Sequence, residues 1–88
     1  MKKLIILFPF VLLGLNLSSQ IDSVDIYIKR GFTYDKLGKY QLAIDDYNNA
    51  IRINPDEAKA YVNRGSAYRM LGKYQLAIDD YNNAIRIN

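Results

Sequence analysis

The side chains in this chain that could do chemistry are few, and their types narrow the choice of reaction at once. It contains eight tyrosines and no cysteine or histidine. Thiolate nucleophiles, disulfides and cysteine-type zinc sites are therefore excluded, together with the commonest general base and the commonest transition-metal ligand. Carboxylates, tyrosines and lysines remain. The only adjacent carboxylates that recur are Asp45-Asp46 and Asp79-Asp80. Neighbours on a helix point about 100° apart, a poor geometry for sharing a proton or a metal. A solvated acidic face is the plain expectation for both pairs. A sharper one is structural: Arg30 precedes Asp46 by sixteen residues and Arg64 precedes Asp80 by sixteen, so an Arg–Asp bridge is expected between two helices of each unit. No catalytic residue, metal site or cofactor site is expected, and no glycine-rich phosphate loop is present.

The eight tyrosines lead from chemistry to architecture. They fall into four pairs separated by 34 residues, the pattern of packing rather than of a ligand-stacking cluster. Leu37 to Asn54, LGKYQLAIDDYNNAIRIN, recurs unchanged as Leu71 to Asn88. Upstream of those eighteen identities, Tyr27/Tyr61, Arg30/Arg64, Gly31/Gly65 and Tyr34/Tyr68 also match, which makes 22 of 31 aligned positions. The period is 34. Apolar residues follow helical spacing twice within each unit, with Tyr61, Gly65, Tyr68 and Leu71 on one face and Tyr74, Ala77, Ile78, Tyr81, Ala84 and Ile85 on another. Gly38 and Gly72 sit where the first helix of each unit should stop. Asn54-Pro55-Asp56-Glu57 reads as a restart with a capping box closed by Glu57. Helices are predicted near 22–37, 40–53, 56–71 and 74–87.

Eighty-eight residues, half of them apolar, allow one small domain. Met1 to Gln20 has two lysines, an apolar run broken only by Pro9 and Gly14, and a short polar end, the layout of a secretory signal peptide. The run is shorter than the roughly 20 residues that a spanning helix needs. Removal and export to the periplasm or medium is the expectation, with anchoring by residues 4–17 as the alternative. The formal charge of +3 includes Lys2 and Lys3; from Ile21 onward ten Lys/Arg face nine Asp/Glu, a net +1 with mixed signs. That pattern excludes a phosphate-binding stripe, and nucleic acid is not an expected partner.

The repeat resembles the tetratricopeptide repeat family, on Tyr27, Gly31, Tyr34, Ala43, Tyr47, Ala50 and Pro55 in unit one (24–57), and Tyr61, Gly65, Tyr68, Ala77, Tyr81 and Ala84 in unit two (58–88). Arg30 and Arg64 depart from the family, which carries Leu there. The resemblance implies an all-α fold of tandem helix-turn-helix repeats, a short right-handed α-solenoid over residues 21–88 that binds a protein or peptide and is not an enzyme. All nine mismatches between the units lie in their first helices, which in the family line a concave groove. By that carry-over the peptide contacts are Asp25, Ile28, Phe32, Asp35 and Lys36, then Lys59, Val62, Ser66, Arg69 and Met70. A family subgroup grips a terminal carboxylate with Lys and Asn; here Ile28 and Phe32 stand at two of those places and only Asn63 matches, which argues against that clamp.

Two units are fewer than the three or so that usually stabilise such an array. Tyr74, Ala77, Tyr81 and Ile85 have no following helix and are expected to form an uncovered apolar face. This leaves open an assembly element that self-associates through that face, or a targeting segment of a longer protein.

Overall fold

The computed structural model describes residues 22–88. The expected signal peptide and its anchoring alternative lie outside the described residues. Four helices follow one another: α1 over 22–36, α2 Tyr40–Ile53, α3 Ala58–Met70 and α4 Tyr74–Ile87. No strand occurs among the described residues, and no helix among them is long and apolar enough to cross a membrane. Each helix packs on the next, giving the predicted tandem of helix-turn-helix units.

Both hairpin turns end their first helix in the same way. Gly38 and Gly72 take φ of +73° and +76°, a left-handed conformation that costs any residue with a Cβ. Around Gly38, the Lys39 N–H donates to the Tyr34 carbonyl (2.9 Å) and the Gly38 N–H to that of Asp35 (3.0 Å). Lys73 and Gly72 repeat this onto Tyr68 and Arg69. These paired bonds satisfy the last carbonyls of α1 and α3 and fix the reversal.

The turn between units differs from the sequence expectation. α3 begins at Ala58 rather than 56, and its N-cap, Glu57, makes no side-chain cap bond. Asn54 Oδ1 instead accepts from the Asp56 N–H (3.1 Å) while the Glu57 N–H donates to the Asn54 carbonyl (3.2 Å). Asparagine competes for local backbone donors, so it builds a turn here instead of a capping box.

The core lies along the seam of the helices. Val24 and Ile28 of α1, Ala50 of α2 and Ala60 of α3 form one buried cluster, with Tyr27, Ile51 and Ile53 packed against it. Small residues set the spacing: Ala43, Ala50, Ala60 and Ala67 are at most 1% exposed. A Cβ on Gly31 would lie 2.6 Å from Tyr47 Cε1, and one on Gly65 would lie 2.9 Å from Tyr81 Cε1. Glycine therefore lets the second helix of each unit lay its tyrosine ring against the first.

α2 and α4 share one sequence, YQLAIDDYNNAIRI, and differ in what covers them. Ile44 is 2% exposed beneath α3, and its equivalent Ile78 is 50% exposed. Of the uncovered face expected on α4, Tyr74 and Ile85 are exposed and Ile78 joins them, whereas Ala77 is buried against α3 and Tyr81 is half-buried. Ala77 faces inward because α3 occupies that side of α4, so the apolar residues of one helix divide between two surfaces.

Candidate functional site: the groove between α1 and α3

Polar contacts repeated in both units hold the first helices in place. Arg30 donates from Nε and Nη2 to both Asp46 oxygens, at 2.9 and 2.6 Å, and Arg64 does the same to Asp80 at 2.9 and 2.7 Å. Two parallel bonds lock the guanidinium plane to the carboxylate, the geometry that arginine supplies and lysine does not. Both expected bridges are therefore formed. Asp46 and Asp80 are buried whereas Asp45 and Asp79 face solvent, where Gln41 and Gln75 donate to them. The adjacent carboxylates are split between two jobs.

The bridges are not equal. Arg30 has 56% of its side chain exposed and Arg64 only 19%, so both partners are largely buried in the second unit alone. α2 covers Arg64, whose Nη1 also donates to Asn48 Oδ1 at 2.8 Å. Its guanidinium lies over the rings of Tyr61 and Tyr68, 5.5 and 5.8 Å from their centroids, and bonding to Asp80 raises its pKa further.

Held this way, α1 and α3 leave two adjoining concavities between them. One, of about 260 Å³, is lined by Phe32, Asp35, Lys36 and Tyr40 on one side and Asn63, Ser66, Ala67 and Met70 on the other. The second, of about 180 Å³, is lined by Ile28, Lys29, Phe32, Lys59 and Asn63. Phe32 and Asn63 belong to both and form the ridge between them.

Seven of the ten expected contact residues meet here: Ile28, Phe32, Asp35, Lys36, Lys59, Ser66 and Met70. Ile28 reaches the wall only at its edge, since it is 6% exposed and belongs to the core cluster. Asp25, Val62 and Arg69 do not line either concavity. Asp25 instead pairs with Lys29 (2.9 Å), raising that lysine's pKa. Lys29, Tyr40, Asn63 and Ala67 are additional wall residues. Asn63 and Lys29 are equivalent positions that differ between the units, a signal the sequence carried. Tyr40 lies in an unchanged segment and gave none.

The groove mixes an apolar floor with charge. Phe32 is 49% and Met70 52% exposed, large for residues of their type on a small protein. Lys36 Nζ sits 4.7 Å from the Phe32 ring centroid. Asp35 accepts a 2.5 Å bond from the Tyr47 hydroxyl, while its other oxygen is buried with no partner among the described residues. Burial raises the Asp35 pKa, and the bond from Tyr47 works against that rise. The Tyr47 hydroxyl is pushed well above its ordinary value, first by burial and then by Asp35. Among the described residues no cluster of three or more Asp, Glu, His or Cys is placed to hold a metal.

The family model of the tetratricopeptide repeat matches residues 24–57 and again 58–88. No curated protein matches the chain. Among solved structures, the second TPR of Spaghetti (RPAP3) bound to the HSP90 peptide SRMEEVD is similar over 74% of this chain and 60% of its own, with 29% identity and a TM-score of 0.72. The first TPR of the same protein, bound to the same peptide, gives 31% identity and a TM-score of 0.72 over 74% of this chain and 52% of its own. MamA gives 33% identity and a TM-score of 0.69 over 73% of this chain and 35% of its own. The chain thus spans about 60% or less of each of these structures. With two adjacent matches to the family model and this helical architecture, the chain belongs to the tetratricopeptide repeat family.

Proposed function

We propose that this protein is a non-catalytic peptide-holding module whose ligand lies along the groove between α1 and α3. One observation carries the reading. Exposed Phe32 and Met70 face each other across a concavity whose rim holds Lys36, Asn63 and Ser66, so an apolar anchor and polar orienting groups occur together. Relatives of this fold that hold the HSP90 peptide support a peptide as the ligand class. With Lys29, Lys36 and Lys59 along the walls, the favoured ligand is an extended segment with a large apolar side chain and an adjacent carboxylate. Ile28 and Phe32 stand where a terminal-carboxylate clamp needs polar side chains, so SRMEEVD serves as a contrasting probe rather than the expected ligand.

Selection of displayed peptides on the chain, followed by fluorescence titration of the enriched sequences, tests this. Enriched peptides should share an apolar–acidic pattern, lose at least tenfold in affinity on Phe32→Ala, and exceed SRMEEVD in affinity. Equal binding to the chain and to the combined Phe32→Ala, Asn63→Ala variant would refute the groove. We further propose that the module works outside the cytoplasm after loss of Met1–Gln20, on the layout of that segment. Mass spectrometry of the exported product should give a mature N-terminus within a residue or two of Gln20; an intact Met1 would refute removal.

A further inference from the structure

The open face of α4 has a template inside the same molecule. α2 has the same sequence, and its matching face is covered by α3. At that junction Ala60 enters a cluster with Val24, Ile28 and Ala50, flanked by Tyr27, Ile51 and Ile53, while Arg64 Nη1 donates to Asn48. Moving 34 residues along gives the corresponding residues of unit two: Ala58, Val62 and Ala84, flanked by Tyr61, Ile85 and Ile87, with Asn82 in place of Asn48. The position equivalent to Ala60 on α1 is Ile26, and that equivalent to Arg64 is Arg30. Ile26 is 60% exposed, and Arg30 Nη1 meets no acceptor among the described residues.

The differences between the units compensate across such a junction. Inside the molecule two branched residues, Val24 and Ile28, receive a small one, Ala60. On unit two the receiving pair shrinks to Ala58 and Val62, and the entering residue grows to Ile26. The three side chains hold the same total number of carbon atoms in both sets, with bulk moved from one side of the contact to the other. Volume-conserving exchange of this kind is what a packed core tolerates best. Three of the nine mismatches between the units, at Val24/Ala58, Ile26/Ala60 and Ile28/Val62, are thereby accounted for together.

We infer that the outer face of α4 receives α1 of a second copy of this chain, Ile26 seating on Ala58, Val62 and Ala84 and Arg30 donating to Asn82. The contact joins two different surfaces, head to tail, so it leaves one free end of each kind and propagates. It goes beyond the peptide groove, whose walls it does not use.

Two variants of the full chain test it: Ile26→Lys blocks the head and Ile85→Lys blocks the tail. Both positions are exposed, 60% and 72%, so circular dichroism should show unchanged helix content. By sedimentation velocity the unaltered chain should grow past dimer as its concentration rises. Each variant alone should be monomeric, and an equimolar mixture should form heterodimers and stop there. Asn82→Asp, which gives Arg30 a charged acceptor, should tighten association about three- to tenfold. A monomeric unaltered chain overturns the inference. So does self-association of the Ile26→Lys variant, which would mark a tail-to-tail contact, or undiminished association of both variants, which would assign it to another segment.

Discussion

Arg64 reaches out of its own unit to Asn48, whose Oδ1 lies 2.8 Å from Nη1, while its other two nitrogens hold Asp80. One side chain therefore closes a hairpin and joins that hairpin to its neighbour. In a two-unit array, where stability is close to a sum of unit and junction terms, both depend on it.

Removing Asp80 should leave Arg64 partly buried without its carboxylate. Exposed ion pairs contribute about 0–1 kcal/mol, whereas breaking a buried one costs about 3–5 kcal/mol. With Arg64 still 19% exposed, Asp80→Leu should cost about 2 kcal/mol in urea unfolding. Arg64→Leu combined with Asp80→Leu should cost clearly less than the two singles added; additivity would mean that the bridge carries no coupling.

Arg30→Leu should destabilise less than Arg64→Leu in the same assay. Its guanidinium is more than half exposed and has no acceptor in a neighbouring unit among the described residues. Equal losses would show that coverage by α2 adds nothing to the second bridge.

Gly31→Ala should destabilise by about 1–3 kcal/mol through overpacking, less the roughly 1 kcal/mol by which alanine favours a helix. Gly65→Ala should cost less, because Tyr81 is half-buried and free to yield whereas Tyr47 is fully buried. Thermal melts of the two variants give the order, and the reverse order would contradict the ring-on-glycine packing.

Asp35 makes a pH dependence with a definite sign. Its folded pKa is raised, so above the ordinary carboxylate pKa of about 3.9 the folded state binds more protons than the unfolded state. Stability from this group is present at low pH and is lost as pH rises through the folded pKa. Asp35→Asn keeps an acceptor for Tyr47 and cannot ionise, so its melting temperature relative to the unaltered chain should rise between pH 4 and pH 7. A flat difference would indicate that Asp35 titrates alike in both states.

The Arg–Asp bridges were legible in the sequence because a helical hairpin with a three-residue turn fixes which residues oppose one another, and a spacing of sixteen spans it. The groove was legible in part through the family resemblance. That carry-over, applied to the places where the units differ, gave Phe32, Lys36, Ser66 and Met70, but the rotation of α1 and α3 about their axes is set by Gly31, Gly65 and the alanines they pack on. That rotation turns Ile28 inward, swings Asp25, Val62 and Arg69 away, and brings in Lys29, Asn63 and Ala67, while Tyr40 joins the wall from the start of α2. The capping expectation at Asn54 failed because one asparagine can serve a helix start or a tight turn, and the choice rests on where α3 must begin to meet α2.

The identity of α2 and α4 also bears on how such a chain can change its length. Deleting or inserting a block of 34 residues anywhere within the repeat joins a complete second helix to the same turn, so no hairpin is cut. Recombination between the two copies of the shared eighteen-residue segment yields arrays with one unit fewer or one more, each with intact Gly38-type stops and Arg–Asp bridges. Unit number is thus a property that heredity can adjust in whole steps, with every hairpin kept whole.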